Sequence, residues 1–228
     1  MVELIAGLDA ARVRANLAHI QAQIAAARER STPARPGLQR SAVEVLAATK
    51  YIASDDLPVL AEAGVRLLGE NRAQDLQEKV AAHGGAFEWD FIGALQSRRV
   101  RAIVPHVRLI HSVASDSALR ELERHRSLAR PGLRILIEVN LAGEQGKAGV
   151  APERLAELIK RAAVPVAGLM TMPPLAAEAE QSRRWFAALR ELADEHGLEE
   201  LSMGTSQDYA VAVEEGATIV RIGTSLYR

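Results

Sequence analysis

The chain of 228 residues has no cysteine, only 4% aromatic residues and only four lysines (Lys50, Lys79, Lys147 and Lys160) among its 28 basic side chains. Each scarcity excludes something. Without cysteine there is no disulfide, no thiolate metal site and no cysteine nucleophile. No segment approaches the roughly 20 consecutive apolar residues of a membrane span, so no transmembrane helix is expected. A formal net charge of −1 provides no overall basic field for nucleic acid. The opening Met1-Val2-Glu3-Leu4 carries an acid and lacks an apolar core of signal-peptide length, so a cytoplasmic location is expected. What the chain does have is a composition that is 48% hydrophobic. That suffices for the core of one large α/β domain over residues 1–228.

Val13, Leu17, Ile20 and Ile24 recur at helical spacing and predict a helix over about 8–30, closed by the loop Ser31-Thr32-Pro33-Ala34-Arg35-Pro36-Gly37. Beyond it, strand-like runs fall at 43–49, 66–69, 88–93, 107–113, 133–140, 164–170, 200–203 and 218–222. Helical patterns lie between them, over 55–63, 73–82, 115–129, 152–163, 176–195 and 207–215. Eight strands alternating with helices predict a (β/α)8 TIM barrel with an extra N-terminal helix, an open doubly wound sheet being the alternative. In such barrels the site lies at the C-terminal ends of the strands, and a phosphate is often held by the loops after strands 7 and 8.

The scarcity of lysine makes Lys50 conspicuous, because it closes the apolar run Val43-Glu44-Val45-Leu46-Ala47-Ala48-Thr49. An arginine cannot lose its proton, whereas a lysine in an apolar or cationic pocket can, and a neutral amine forms a Schiff base. The ordinary alternative is a strand-end lysine that snorkels to solvent. After strand 7 comes Ser202-Met203-Gly204-Thr205-Ser206, and after strand 8 comes Gly223-Thr224-Ser225. Glycine, hydroxyls and a helix N-terminus together make a phosphate cup, although each segment alone also suits simple helix capping. Closure of a barrel places strand 1 beside strand 8. A Schiff-base lysine next to a phosphate cup points to pyridoxal 5′-phosphate (PLP).

Arg221 stands inside the apolar strand Ala217-Thr218-Ile219-Val220-Arg221-Ile222, where a charge needs a partner. Facing a pyridine nitrogen, it would keep that nitrogen unprotonated and make the ring a weaker electron sink; an ion pair with Glu138 is the structural alternative. His19, His83, His106, His111, His125 and His196 show no metal-ligand spacing and read as surface or helix-end residues. Arg98-Arg99-Val100-Arg101 reads as a solvated helix face.

Six segments in order resemble the YggS/PROSC family of pyridoxal-phosphate homeostasis proteins. They are Ala47-Ala48-Thr49-Lys50, Gly69-Glu70-Asn71, Phe91-Ile92-Gly93-Ala94-Leu95-Gln96, Gly168-Leu169-Met170-Thr171-Met172, Leu201-Ser202-Met203-Gly204-Thr205-Ser206-Gln207-Asp208 and Val220-Arg221-Ile222-Gly223-Thr224. The resemblance implies the barrel of the alanine racemase N-terminal domain, without that enzyme's second domain. It implies PLP on Lys50, Arg221 at the ring nitrogen, Asn71 near the ring, and Ser202, Gly223 and Thr224 at the phosphate, with Met203 and Ser206 as further candidates. Arg98-Arg99 depart from the Asn-Lys that the family often carries there. Lys147 matches a family lysine and is a candidate for cofactor handling. The function implied is buffering or delivery of PLP, with apo PLP-dependent enzymes as partners and a monomer preferred. The alternatives are a low-activity amino-acid racemase, with Tyr51 as the available second base, and a barrel for another phosphorylated metabolite.

Overall fold

The structure, a computed structural model, describes residues 4–32 and 42–228. Residues 1–3, and the part of the expected loop beyond Thr32, lie outside them. Eight strands, β1 (Glu44–Ala48), β2 (Leu67–Glu70), β3 (Glu88–Phe91), β4 (Leu109–Val113), β5 (Arg134–Glu138), β6 (Val166–Met170), β7 (Glu200–Thr205) and β8 (Ile219–Ile222), form a closed parallel barrel in chain order. The seam pairs β1 with β8, Leu46 opposite Arg221 and Ala47 opposite Ile222. The open-sheet alternative is thereby excluded.

Strand alternation sorts side chains into two cores. Inside the barrel, Leu46, Leu67, Leu109, Leu136, Met170 and Ile219 form one apolar layer. Outside it, Trp89, Phe91, Ile110, Ile137, Leu201 and Val220 pack with helix residues such as Leu76, Leu122, Leu158, Phe186 and Leu189. Each such side chain, fully buried, contributes about 1.5–3 kcal/mol before entropy is counted.

The helices are α1 (Ala10–Glu29), α2 (Leu57–Glu62), α3 (Ala73–His83), α4 (Val100–Ile103), α5 (Asp116–Arg124), α6 (Leu155–Arg161), α7 (Arg183–Glu195), α8 (Tyr209–Glu214) and α9 (Thr224–Tyr227). The Asp9 side chain caps α1 by accepting from the Arg12 N–H at 2.7 Å. Val13, Ile20, Ile24 and Ala27 form its buried stripe. It lies along α8 and α9, where Asn16 donates to the carbonyls of Leu226 and Arg228 and Gln23 accepts from the Tyr209 hydroxyl.

Two elements depart from expectation for local reasons. The helix expected from 176 begins at Arg183 after a 3-10 turn (Ala179–Ser182), because Glu178 and Gln181 form a capping box there. The four-residue α4 was not expected, being too short to show a period.

Candidate functional site

Lys50 lies two residues beyond β1, in the turn that opens onto the mouth of the barrel. The backbone leading to it is clamped. Tyr227 donates its hydroxyl to the Ala48 carbonyl at 3.1 Å, and the Thr49 N–H donates to Gly69 at 3.0 Å. The Lys79 ammonium donates to the Thr49 carbonyl at 2.9 Å and to Glu70 Oε1 at 2.5 Å, while the Thr49 hydroxyl donates to the same carboxylate oxygen at 2.6 Å. Lys79, Glu70 and Thr49 are all buried. Burial, followed by the nearby Glu70 charge, pushes the Tyr227 phenol well above its usual range, so it stays a donor. Lys50 itself is exposed, its Nζ 4.7 Å from the centre of the Tyr51 ring. Among the described residues neither an apolar nor a cationic pocket encloses this lysine, because the side chain leaves from a turn outside the barrel wall.

Arg221 points inward from β8 and is buried. Its Nη1 donates to the Ser202 carbonyl at 2.8 Å and hydroxyl at 2.6 Å; its Nη2 donates to the Thr171 carbonyl at 3.0 Å and Met172 Sδ at 2.8 Å. A guanidinium has five N–H donors. Four are used, and Nε–H is left without a partner among the described residues. Burial pushes the group down to about 10, opposed by Glu138 and Asp208, which leaves it charged at neutral pH. The direct partners of Arg221 are thus hydroxyl, carbonyl and thioether, with Glu138 acting through the field only. Burial raises the Glu138 carboxyl above its usual range, and Arg221 draws it back.

The cup forms where β7 and β8 end. A register shift between Ser202 and Thr205 sets Thr205 opposite Arg221. Gly204 sits there at φ +89°, and a Cβ on it would lie 2.6 Å from the Ala212 side chain and 2.9 Å from the Tyr209 backbone. Asp208 accepts from the Thr205 N–H and hydroxyl at 2.7 and 3.1 Å, and the Gly223 N–H donates to the Ser206 hydroxyl at 3.1 Å. Ser206, Gly223 and Thr224 keep solvent access.

Two residues expected at this cup lie elsewhere. Ser202 is sealed inside the barrel against Arg221 and His111, and the Met203 side chain faces outward into the core under the helices. The period-two alternation of β7 puts them on opposite faces, neither of which is the cup.

Asn71 follows β2, its N–H donating to Glu70 Oε2 at 3.2 Å. Gly93 passes so close to it that any Cβ would overlap the Asn71 backbone carbonyl. Asn71 Oδ1 is sealed and has no partner among the described residues. It borders a cavity of about 170 Å³ shared with Arg72, Phe91, Gln96 and Arg99. Lys147 pairs with Glu144 at 2.5 Å and borders another cavity, of about 510 Å³, with Met172, Thr205 and Asp208.

The reading of the histidines needs one correction. His83, His125 and His196 do sit at helix ends, but His111 is fully buried inside the barrel. Its Nε2 is 3.1 Å from Asp90 Oδ2 and its Nδ1 is 2.8 Å from Ser202 Oγ. Asp90 is held by Arg108, through Nε at 2.9 Å and Nη2 at 3.2 Å, and Arg108 reaches Glu44 at 2.6 and 2.8 Å. A polar column therefore crosses the barrel from Glu44 to Arg221. Burial, which outweighs the pull of Asp90, moves the His111 imidazole below its ordinary value. The available signal was period two, since Leu109 and His111 share the inward face of β4 ahead of the register shift that turns Val113 outward.

The fold is a closed parallel barrel whose strand ends carry an exposed lysine after β1, an inward arginine on β8 and small-residue loops after β7 and β8. Residues 8–228 match the family described as alanine racemase, N-terminal domain. The chain belongs to the pyridoxal phosphate homeostasis proteins that share this barrel. The pyridoxal phosphate homeostasis protein of Aquifex aeolicus is 39% identical over 204 residues, covering 85% of this chain and 90% of its own. That of Pseudomonas aeruginosa is 37% identical, covering 89% and 91%. PipY of Synechococcus elongatus, solved with PLP bound, superposes with a TM-score of 0.75 at 31% identity, covering 95% of this chain and all of that one. Alanine racemase from Bartonella henselae shares the fold at 14% identity, with a TM-score of 0.67 over 96% of this chain and 59% of its own.

Proposed function

We propose that this protein binds PLP at the barrel mouth, attached through Lys50, and buffers or delivers it. The observation that carries this reading is the conjunction of an accessible Lys50, a cup at Ser206, Gly223 and Thr224, and an Arg221 whose Nε–H has no partner among the described residues. When bound, PLP supplies an aldehyde for an amine, a phosphate for the cup and a ring nitrogen that can accept. The residues fit each of these. The Lys50 amine is the attachment point. The hydroxyls of Ser206 and Thr224 would receive the phosphate at the start of α9, with the Gly223 N–H holding the Ser206 hydroxyl in place. Arg221 Nε–H meets the ring nitrogen, and because arginine keeps its protons, that nitrogen gains none. Asn71, which follows β2, would stand near the ring.

The same residues disfavour racemisation, which requires a second base opposite the lysine. The hydroxyls of Tyr209 and Tyr227 are committed to Gln23 and Ala48, and Tyr51 lies on the lysine's own side. An exposed lysine suits release of the cofactor to an acceptor better than retention for turnover. The chain acts as one domain, in the cytoplasm and as a monomer, and its partners are apo PLP-dependent enzymes. No helix among the described residues is long and apolar enough to cross a membrane. The test is a transfer assay. Loaded protein mixed with an apo PLP enzyme is expected to restore that enzyme's activity in step with loss of its own visible band. A loaded protein that keeps its cofactor through dialysis and transfers none would refute delivery.

A further inference from the structure

The cofactor reading uses Arg221 but leaves unexplained why three sealed polar groups, Ser202, His111 and Asp90, stand in line beneath it. Their hydrogen bonds have a direction. Asp90 already takes two N–H groups from Arg108, so towards His111 it can only accept. Nε2 of His111 therefore carries the proton, and in the neutral ring Nδ1 is left as an acceptor. The Ser202 hydroxyl is its neighbour at 2.8 Å and must donate there. With its one proton committed, Ser202 Oγ has only lone pairs to offer Arg221, and Nη1 donates to it at 2.6 Å. The Ser202 carbonyl, the Thr171 carbonyl and Met172 Sδ take the other Nη hydrogens. A change at His111 therefore reaches the guanidinium through a single shared hydroxyl.

We propose that His111 is a positioning residue for the ring end of the cofactor: wired to Asp90 in its Nε2–H tautomer, it turns the Ser202 hydroxyl into a pure acceptor for Arg221 and so leaves Nε–H as the one donor directed at the ring nitrogen. The proposal rests on the PLP reading, but its first consequence concerns the protein alone. An imidazolium at His111 would donate from Nδ1 to Ser202, and the serine proton would then compete with Arg221 for orientation. The opposite tautomer would place a lone pair against the Asp90 carboxylate, which two charged arginine donors already hold in place.

The experiment has two arms. In ¹⁵N-labelled protein without PLP, long-range ¹H–¹⁵N spectra at pH 7 are expected to show His111 neutral with the proton on Nε2; an imidazolium or an Nδ1–H form overturns the proposal. In the second arm, PLP carrying ¹⁵N in its ring is bound to native protein, His111→Leu, His111→Gln and Ser202→Ala. His111→Leu and Ser202→Ala are expected to keep the visible band yet bind PLP about tenfold more weakly, the loss of one hydrogen bond to a charged group. Their ring-nitrogen resonance should also move from the native position. His111→Gln, which can still donate to Asp90, is expected to recover much of the affinity. Native affinity and an unmoved ring-nitrogen resonance in Ser202→Ala would overturn the proposal even if His111→Leu failed to fold. Absence of a visible band in native protein would instead strike the PLP reading, and the tautomer arm would still decide the wiring.

Discussion

Two buried networks converge on the mouth of this barrel, one from inside and one from outside, and they end differently. The outer one joins Glu70 on β2 to Lys79 on α3 and closes on the backbone at Thr49, with Tyr227 holding Ala48 beside it. The inner one runs from the half-exposed Glu44 through Arg108, Asp90, His111 and Ser202 to Arg221, and ends with a donor to spare. The outer network spends its donors on the Glu70 carboxylate and on main-chain carbonyls, and fixes where Lys50 leaves the strand. The inner network fixes what Arg221 can donate. Geometry is thus set by a sealed ion pair, and chemistry by a chain of shared protons.

The sharpest way to break the comparison is to remove one partner from each. Lys79→Met leaves the Glu70 carboxylate sealed without its cation, and a loss of about 3–5 kcal/mol is expected in urea unfolding. Adding Glu70→Gln should restore most of it, because the uncompensated charge is gone; a double variant as unstable as the single would contradict the pairing. Arg108→Met should cost less, about 2 kcal/mol. Asp90 then retains His111, and the arginine charge that discouraged imidazole protonation has been removed. That penalty should therefore shrink between pH 8 and pH 6, whereas the Lys79→Met penalty should not. Equal pH behaviour of the two would erase the distinction.

The inner network should also leave its own pH signature. His111 is held below its ordinary 6.5 by burial, so the unfolded chain binds its proton first as pH falls. The contribution is complete above that value and is lost as pH drops through 6.5, with a slope of at most about 1.4 kcal/mol per pH unit. Glu138 acts in the opposite sense. Its raised carboxyl holds a proton in the folded state while the unfolded chain has lost it, so its burial costs stability as pH rises above 4.5. The difference between native protein and His111→Gln cancels the Glu138 part and should retain the His111 slope. The smallest effect belongs to the outer clamp. Tyr227→Phe deletes one hydroxyl donor and should cost about 1 kcal/mol, measured by thermal unfolding.

Much of this was legible in the sequence, for reasons that separate the two networks. The strand ends, Lys50, Arg221 and the Gly223-Thr224 segment announce themselves because a charge or a glycine interrupts an apolar run. Lys79 gave a quieter signal. It continues the Ala73, Leu76 stripe of α3 at three-residue spacing, which places a charge on a buried face. His111 and Asp90 each sit one strand period from an apolar residue, yet polar residues on an inward face look like surface residues until closure of the barrel encloses them. Ser202 and Met203 were misplaced because the β7 bulge, which aims Ser206 and not Ser202 at the cup, depends on a register that no single strand encodes.

The most direct test of the central claim is a visible absorption titration of the purified protein with PLP, run beside Lys50→Ala. The account predicts a saturable yellow band in the native protein and none in the variant. No band in the native protein, or an undiminished one in Lys50→Ala, would contradict it.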